Sequence, residues 1–143
     1  MAITTAMCNS FKVELLNAIH DLDTDTLKIA LIKASPAGTF GASTTNYSDL
    51  GVDEAVGTNY SAGGQVLDSA SITLDDPTVY VDFANEVFTA LTISADGALI
   101  YNSSKSNAAV AVFYFGATIT STNGDFTVVF PTPDASNAVI RIS

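Results

Sequence analysis

From Gln65 onward the chain reads as seven short strand-like runs: QVLDSASITL, TVYVDFA, ALTISA, GALIYN, AAVAVFYFG, DFTVVF and AVIRIS. Successive side chains of a strand point to opposite faces, so a run that alternates apolar and polar residues has one wet side. In VYVDFA, Val79, Val81 and Phe83 fall on one face, while Tyr80 and Asp82 fall on the other. AVAVFYF is apolar at both parities, which suits a strand covered on both faces. Asn123-Gly124 in STNGDF is a preferred pair for a two-residue type I′ hairpin. With Thr122 opposite Asp125, Ile119 meets Val128 and Ala117 meets Phe130, giving one apolar and one polar face. A second hairpin is expected between FTVVF and AVIRI, because Pro131 and Pro133 in the PTPDASN connection forbid strand continuation. Many short strands at regular spacing predict a mainly β fold, an antiparallel, jelly-roll-like β-sandwich.

The first segment follows a different period. Met7, Phe11, Leu15 and Ile19 stand four residues apart with Leu16 beside them, which predicts one N-terminal α-helix over about residues 5–20. Thr4 or Thr5 would cap it, and a start at Asn9 or Ser10 is the alternative. From Leu27 the period becomes two, and LKIALIK reads as a strand. The acidic stretch DLDTDT, residues 21–26, lies between the two periods. Residues 34–64 hold scattered Gly, Ser, Thr and Asn with little apolar rhythm, either a long contact-bearing connection or a meander with one or two irregular strands. At 143 residues, nearly half of them apolar, the chain is expected to form one domain, with the sandwich spanning about residues 27–143.

Fifteen acidic residues against five basic ones give a net charge of −10. That field repels phosphate, so nucleic acid and anionic membrane surfaces are not expected partners, whereas a basic protein surface is favoured. No window approaches the length of apolar sequence that a spanning helix needs, and MAITTAMCNSFK lacks the basic-then-apolar order of a secretory signal. The expected product is soluble and stays inside the cell that makes it. Cys8, the single cysteine, reads as a small buried hydrophobe.

Few motifs point to chemistry. Asp21, Asp23 and Asp25 match positions 1, 3 and 5 of a calcium loop, but Thr26 and Ile32 stand where Gly and Glu are needed. A turn in which Asp and Thr side chains cap local amides is the simpler reading. Cys8 and His20 would lie roughly 18 Å apart along a helix, too far for a dyad. His20 is expected to sit near the helix C-terminus as a dipole partner. Asp53-Glu54 and Asp75-Asp76 are adjacent pairs whose members point apart and are expected to be solvated. One Cys and one His make a zinc site improbable, and Gly63-Gly64 lacks the continuation of a phosphate loop. No catalytic residue, cofactor or metal site is expected. Asn46, Asn59 and Asn102 start sequons of a kind common by chance in Ser/Thr-rich loops.

FKVELLNAIHDLDTDTLKIALI, GTNYSAGGQVL, the ALIYN strand followed by one ending in YFGA, and STNGDFTVVFP occur in this order, from Phe11 nearly to the C-terminus. Together they resemble a family of small virion structural proteins of tailed bacteriophages. The chain departs from that pattern at Ala108-Ala109, after SKSN, where the family often carries a basic residue. The resemblance implies a non-enzymatic particle component located on the virion and assembled in the host cytoplasm. Its leading form is a decoration, or cement, protein that binds the major capsid protein on the outer head and associates as a homo-oligomer, a trimer. From expected exposure and loop length, the candidate contacts are Ala2, Ile3, Thr4 and Thr5, Tyr47 and Tyr60, and Asn102 and Lys105. The alternative is a tail- or fibre-associated module in which Tyr47, Tyr60 and Tyr101 engage another virion protein or a host glycan.

Overall fold

The computed structural model describes residues 2–68 and 70–143. In chain order the elements are β1 (Ala6–Met7), α1 (Asn9–Leu16), β2 (Leu27–Lys33), two 3-10 turns (Tyr47–Asp49 and Gly51–Asp53), β3 (Gln65–Val66), β4 (Ser71–Asp75), β5 (Thr78–Asp82), β6 (Glu86–Asn102), β7 (Ala108–Val128) and β8 (Ile140–Ile142). The fold is mainly β with one N-terminal helix. Its two sheets are antiparallel, with orders β1-β7-β6-β2-β3 and β4-β5-β8. These orders lend no support to the jelly-roll refinement. One buried cluster reaches both sheets, from Ile29, Leu31, Leu99 and Val110 in the larger to Val81 and Ile140 in the smaller.

The helix is shorter than its apolar stripe. It starts at Asn9, the later of the two anticipated starts, because Ala6 and Met7 pair with Val112 and Ala111 as a strand. It ends at Leu16 because Ala18 turns left-handed (φ 58°), while the Ala18 and Ile19 N–H groups donate to the Leu15 and Glu14 carbonyls. That is a Schellman stop with alanine where glycine is usual, so no sequence signal marks it. Phe11 is fully buried, but Leu16 is 89% exposed.

Both expected hairpins give way to other pairings. ALTISA and GALIYN belong to one 17-residue strand, β6, and both arms of STNGDF belong to the 21-residue β7 that runs beside it. Ile93 faces Ser121, Leu91 faces Gly124 and Phe88 faces Phe126, so Thr122 does not face Asp125 across a turn. The extra residues at 122–123 and 89–90 form bulges, and the left-handed residues there are Asn123 (φ 47°) and Ala90 (φ 49°). A type I′ turn needs positive φ at both central residues, and Gly124 does not supply it. Gly97 is not a strand break either. A Cβ there would lie 2.2 Å from the Phe113 carbonyl oxygen, so glycine is what lets β6 and β7 approach. β8 pairs with β5 rather than with β7, matching Val79 to Ile142 and Val81 to Ile140.

Candidate functional site: which surfaces are left free

Of the residues nominated as contacts, Ile3 and Asn102 are buried, Tyr47, Tyr60 and Lys105 are half-buried, and Ala2, Thr4 and Thr5 are exposed. Ile3 is buried and forms a parallel bridge with Phe40, whose N–H donates to the Ala2 carbonyl while its own carbonyl accepts from the Thr4 N–H, each at 2.9 Å. Thr5 Oγ1 accepts from the Tyr114 N–H. Residues 2–5 are therefore clipped onto the body, with the Ala2, Thr4 and Thr5 side chains outward. The exposure expected of Ile3 does not hold.

The long connection, residues 34–64, is pinned by two adjacent carboxylates. Asp53 is 5% exposed and accepts from Lys33 Nζ at 2.8 Å and from the Ala37 and Gly38 N–H groups at 3.0 and 2.7 Å. The lysine bond, with the two amides, brings its pKa down to about 2. Glu54 accepts from the Tyr47 hydroxyl (2.5 Å), the Tyr60 hydroxyl (2.9 Å) and the Gly63 N–H (2.6 Å). The Tyr60 oxygen also accepts from the Leu31 N–H, which ties the connection to the centre of β2. Tyr47 stacks on Tyr101, whose hydroxyl donates to the Gly63 carbonyl. Burial, reinforced by Glu54, raises the pKa of Tyr47 and Tyr60. Asp53 and Glu54 are thus not the solvated pair their adjacency suggested. They point apart, as adjacent residues do, but each finds its own donors.

A second polar hub joins the acidic junction to the loop after β6. Asp25 Oδ2 accepts from the Asp21 N–H (2.9 Å) and from Asn102 Nδ2 (2.7 Å), and Lys105 Nζ lies 3.5 Å from Oδ1. The Asp21 side chain accepts from the Asp23 N–H, as in an Asx-turn. DLDTDT is therefore a turn closed by its own carboxylates. Hydrogen bonds, with the Lys105 charge, lower the Asp25 pKa against the opposing effect of burial. Asn102 is 0% exposed; it also lies 3.0 Å from His20 Nδ1 and accepts from the Ser104 N–H. It is a core residue rather than a contact, and Lys105 is half-exposed. His20 lies beyond the helix end, buried against Phe11 and bonded to Glu14, so its role is a packed link rather than a dipole partner. Cys8 is fully buried, which pushes its thiol pKa up to about 12.

One patch of the open surface is apolar. On the small sheet, Ile72 faces Val81, Leu74 faces Val79, and Val79 and Val81 face Ile142 and Ile140, so these six side chains share one face. Its inner half is core: Val81 and Ile140 are buried beside Phe83. Its outer half is bare, with Leu74 67%, Ile72 53% and Ile142 51% exposed. Clefts along this face bring in Leu15 and Leu16 from the helix, with Lys12 and Arg141 at the rim. The alternation in ITL and IRI was visible in the sequence; that no described residue covers the outer half was not. Comparison of the chain with protein-family models, with curated proteins and with solved structures found no match.

Proposed function

We propose that this chain is a non-enzymatic structural protein of a tailed-bacteriophage virion, a decoration protein that binds the outer surface of the head through the major capsid protein and stabilises it as a homo-oligomer. The observation that carries the reading is the ordered set of stretches from FKVELLNAIHDLDTDTLKIALI to STNGDFTVVFP and its resemblance to that family. Physical chemistry is compatible with it. A shell protein must be small, soluble and hard to open, and this chain combines an acidic surface with a long connection locked by the buried Asp53 and half-buried Glu54 carboxylates. The glycan-stacking use of Tyr47 and Tyr60 in the tail reading is disfavoured, since the Tyr47 ring already stacks on Tyr101 and the Tyr60 ring packs beside Phe88.

Sedimentation of the purified protein with empty, expanded heads of the parent virus tests the proposal. Saturable binding at hundreds of copies per particle is the expected result. Binding to tails alone, or to neither part, overturns the head assignment.

A further inference from the structure

Asn123-Gly124 is the one asparagine-glycine pair in the chain, and it does not form the hairpin turn that its composition suggests. It lies in the bulge at residues 122–123, between the pairs Ile93–Ser121 and Leu91–Gly124 of the β6–β7 ladder. Thr122 and Asn123 are exposed there. The Asn123 N–H donates to Thr92 Oγ1 at 2.9 Å, and among the described residues its side-chain amide has no partner.

An asparagine side chain can be attacked by the backbone nitrogen of the residue that follows it, so the step depends on whether that nitrogen is engaged and on the bulk beside it. Glycine, with no Cβ, gives the closest approach. Elsewhere the fold stands in the way. The N–H groups that follow Asn17, Asn46, Asn59, Asn102, Asn107 and Asn137 each donate to a backbone carbonyl. Asn9 and Asn85 precede the bulkier Ser10 and Glu86, and their side-chain oxygens accept from Lys12 Nζ and from the Phe130 N–H. Gly124 rejoins the ladder opposite Leu91, so its nitrogen is released by a local opening at the exposed bulge, where residues 122 and 123 have no ladder partner of their own. The bulge also suits the product. An isoaspartyl link adds one carbon to the main chain, and a segment that already carries an extra residue absorbs it without shifting the pairs on either side.

We propose that Asn123 is a site of spontaneous covalent modification, at which the Gly124 backbone nitrogen bonds to Asn123 Cγ and the side-chain nitrogen leaves as ammonia. The attacking nitrogen gives its proton to base, and the leaving nitrogen takes one up. Water then opens the cyclic imide on either side, which leaves aspartate or isoaspartate; no electrons are gained or lost. The chain acquires one more negative charge, two residues from Asp125 on an exposed stretch of β7. The inference is independent of the particle assignment.

Incubation of the folded, full-length chain at mildly alkaline pH, followed by peptide mapping with mass spectrometry and an isoaspartate assay, tests it. The peptide that holds Asn123 is expected to convert first, to both acids, and faster as pH rises. Gly124→Ala should slow the conversion severalfold. That variant fits the fold, because Gly124 is not left-handed and a Cβ there meets only Ser121 Oγ at 3.5 Å and the Thr122 carbonyl at 3.8 Å, which are ordinary contacts. In guanidinium chloride Asn102, whose protection is structural, should begin to convert as well. An Asn123 that stays intact in the folded chain, an earlier conversion at any other asparagine, or a Gly124→Ala chain that converts as fast as wild type overturns the proposal.

Discussion

The long connection and the small sheet exchange the roles that their compositions suggest. Residues 34–64 are polar and glycine-rich, the composition of a mobile, contact-making loop, yet Asp53, Glu54, Tyr47 and Tyr60 lock them to β2 and to one another. Residues 71–82 and 140–142 have the alternating apolar pattern of interior strands, yet half of that apolar face lies in water. Polarity describes what a side chain prefers, whereas exposure depends on what else the chain can bring to it. A carboxylate with three donors can hold a loop as firmly as a hydrophobic plug, and an apolar face stays bare when no element is left to cover it.

The largest expected effect falls where the connection rejoins the core. Gly64 has φ 70°, and a Cβ there would lie 1.7 Å from the Ile29 carbonyl oxygen. Gly64→Ala should therefore cost on the order of 4 kcal/mol or prevent folding, measured by urea denaturation. Asp53→Ala comes next, at about 2–4 kcal/mol, because it strips the Ala37 and Gly38 amides and Lys33 of a buried partner.

The Asp53 carboxyl also sets a pH dependence. Its folded pKa of about 2 lies below the ordinary 3.8, so its contribution is fully present above the ordinary value and is lost as pH falls through about 2. Wild type should lose about 2 kcal/mol more than Asp53→Asn between pH 5 and pH 2 on this account. Parallel pH profiles for the two proteins would show that the carboxylate does not hold the connection.

Tyr60→Phe is a smaller change, at about 1–2 kcal/mol, since the Leu31 N–H and a Glu54 oxygen each lose their partner. A residue exposed for partner contact would leave Tm untouched. The smallest effect belongs to the bare face: Leu74→Ser should move the stability of the dilute protein by less than about 0.5 kcal/mol. A larger loss would mean that the chain itself covers Leu74.

Much of the architecture is legible in the residues. Strand existence, the antiparallel arrangement, the helix with Phe11 inward, and the junction at DLDTDT all follow from period and turn chemistry. What period cannot decide is partner choice. Asn123-Gly124 satisfies a bulge as readily as a hairpin, because β6 is long enough to pair with both of its flanks. The exposure expected of Ile3 and Asn102 does not hold for a related reason. Asn102 and Tyr60 look like surface residues in isolation, and only the positions of Asp25, His20 and Glu54 in space show where their donors go.

Hydrogen exchange of the wild-type protein tests the contrast most directly. The bonded amides of Leu31, Ala37, Gly38 and Gly63 are expected to exchange slowly, and the outward amides of the exposed edge strand β4 quickly. Fast exchange at Ala37, Gly38 and Gly63, together with slow exchange along β4, would contradict it.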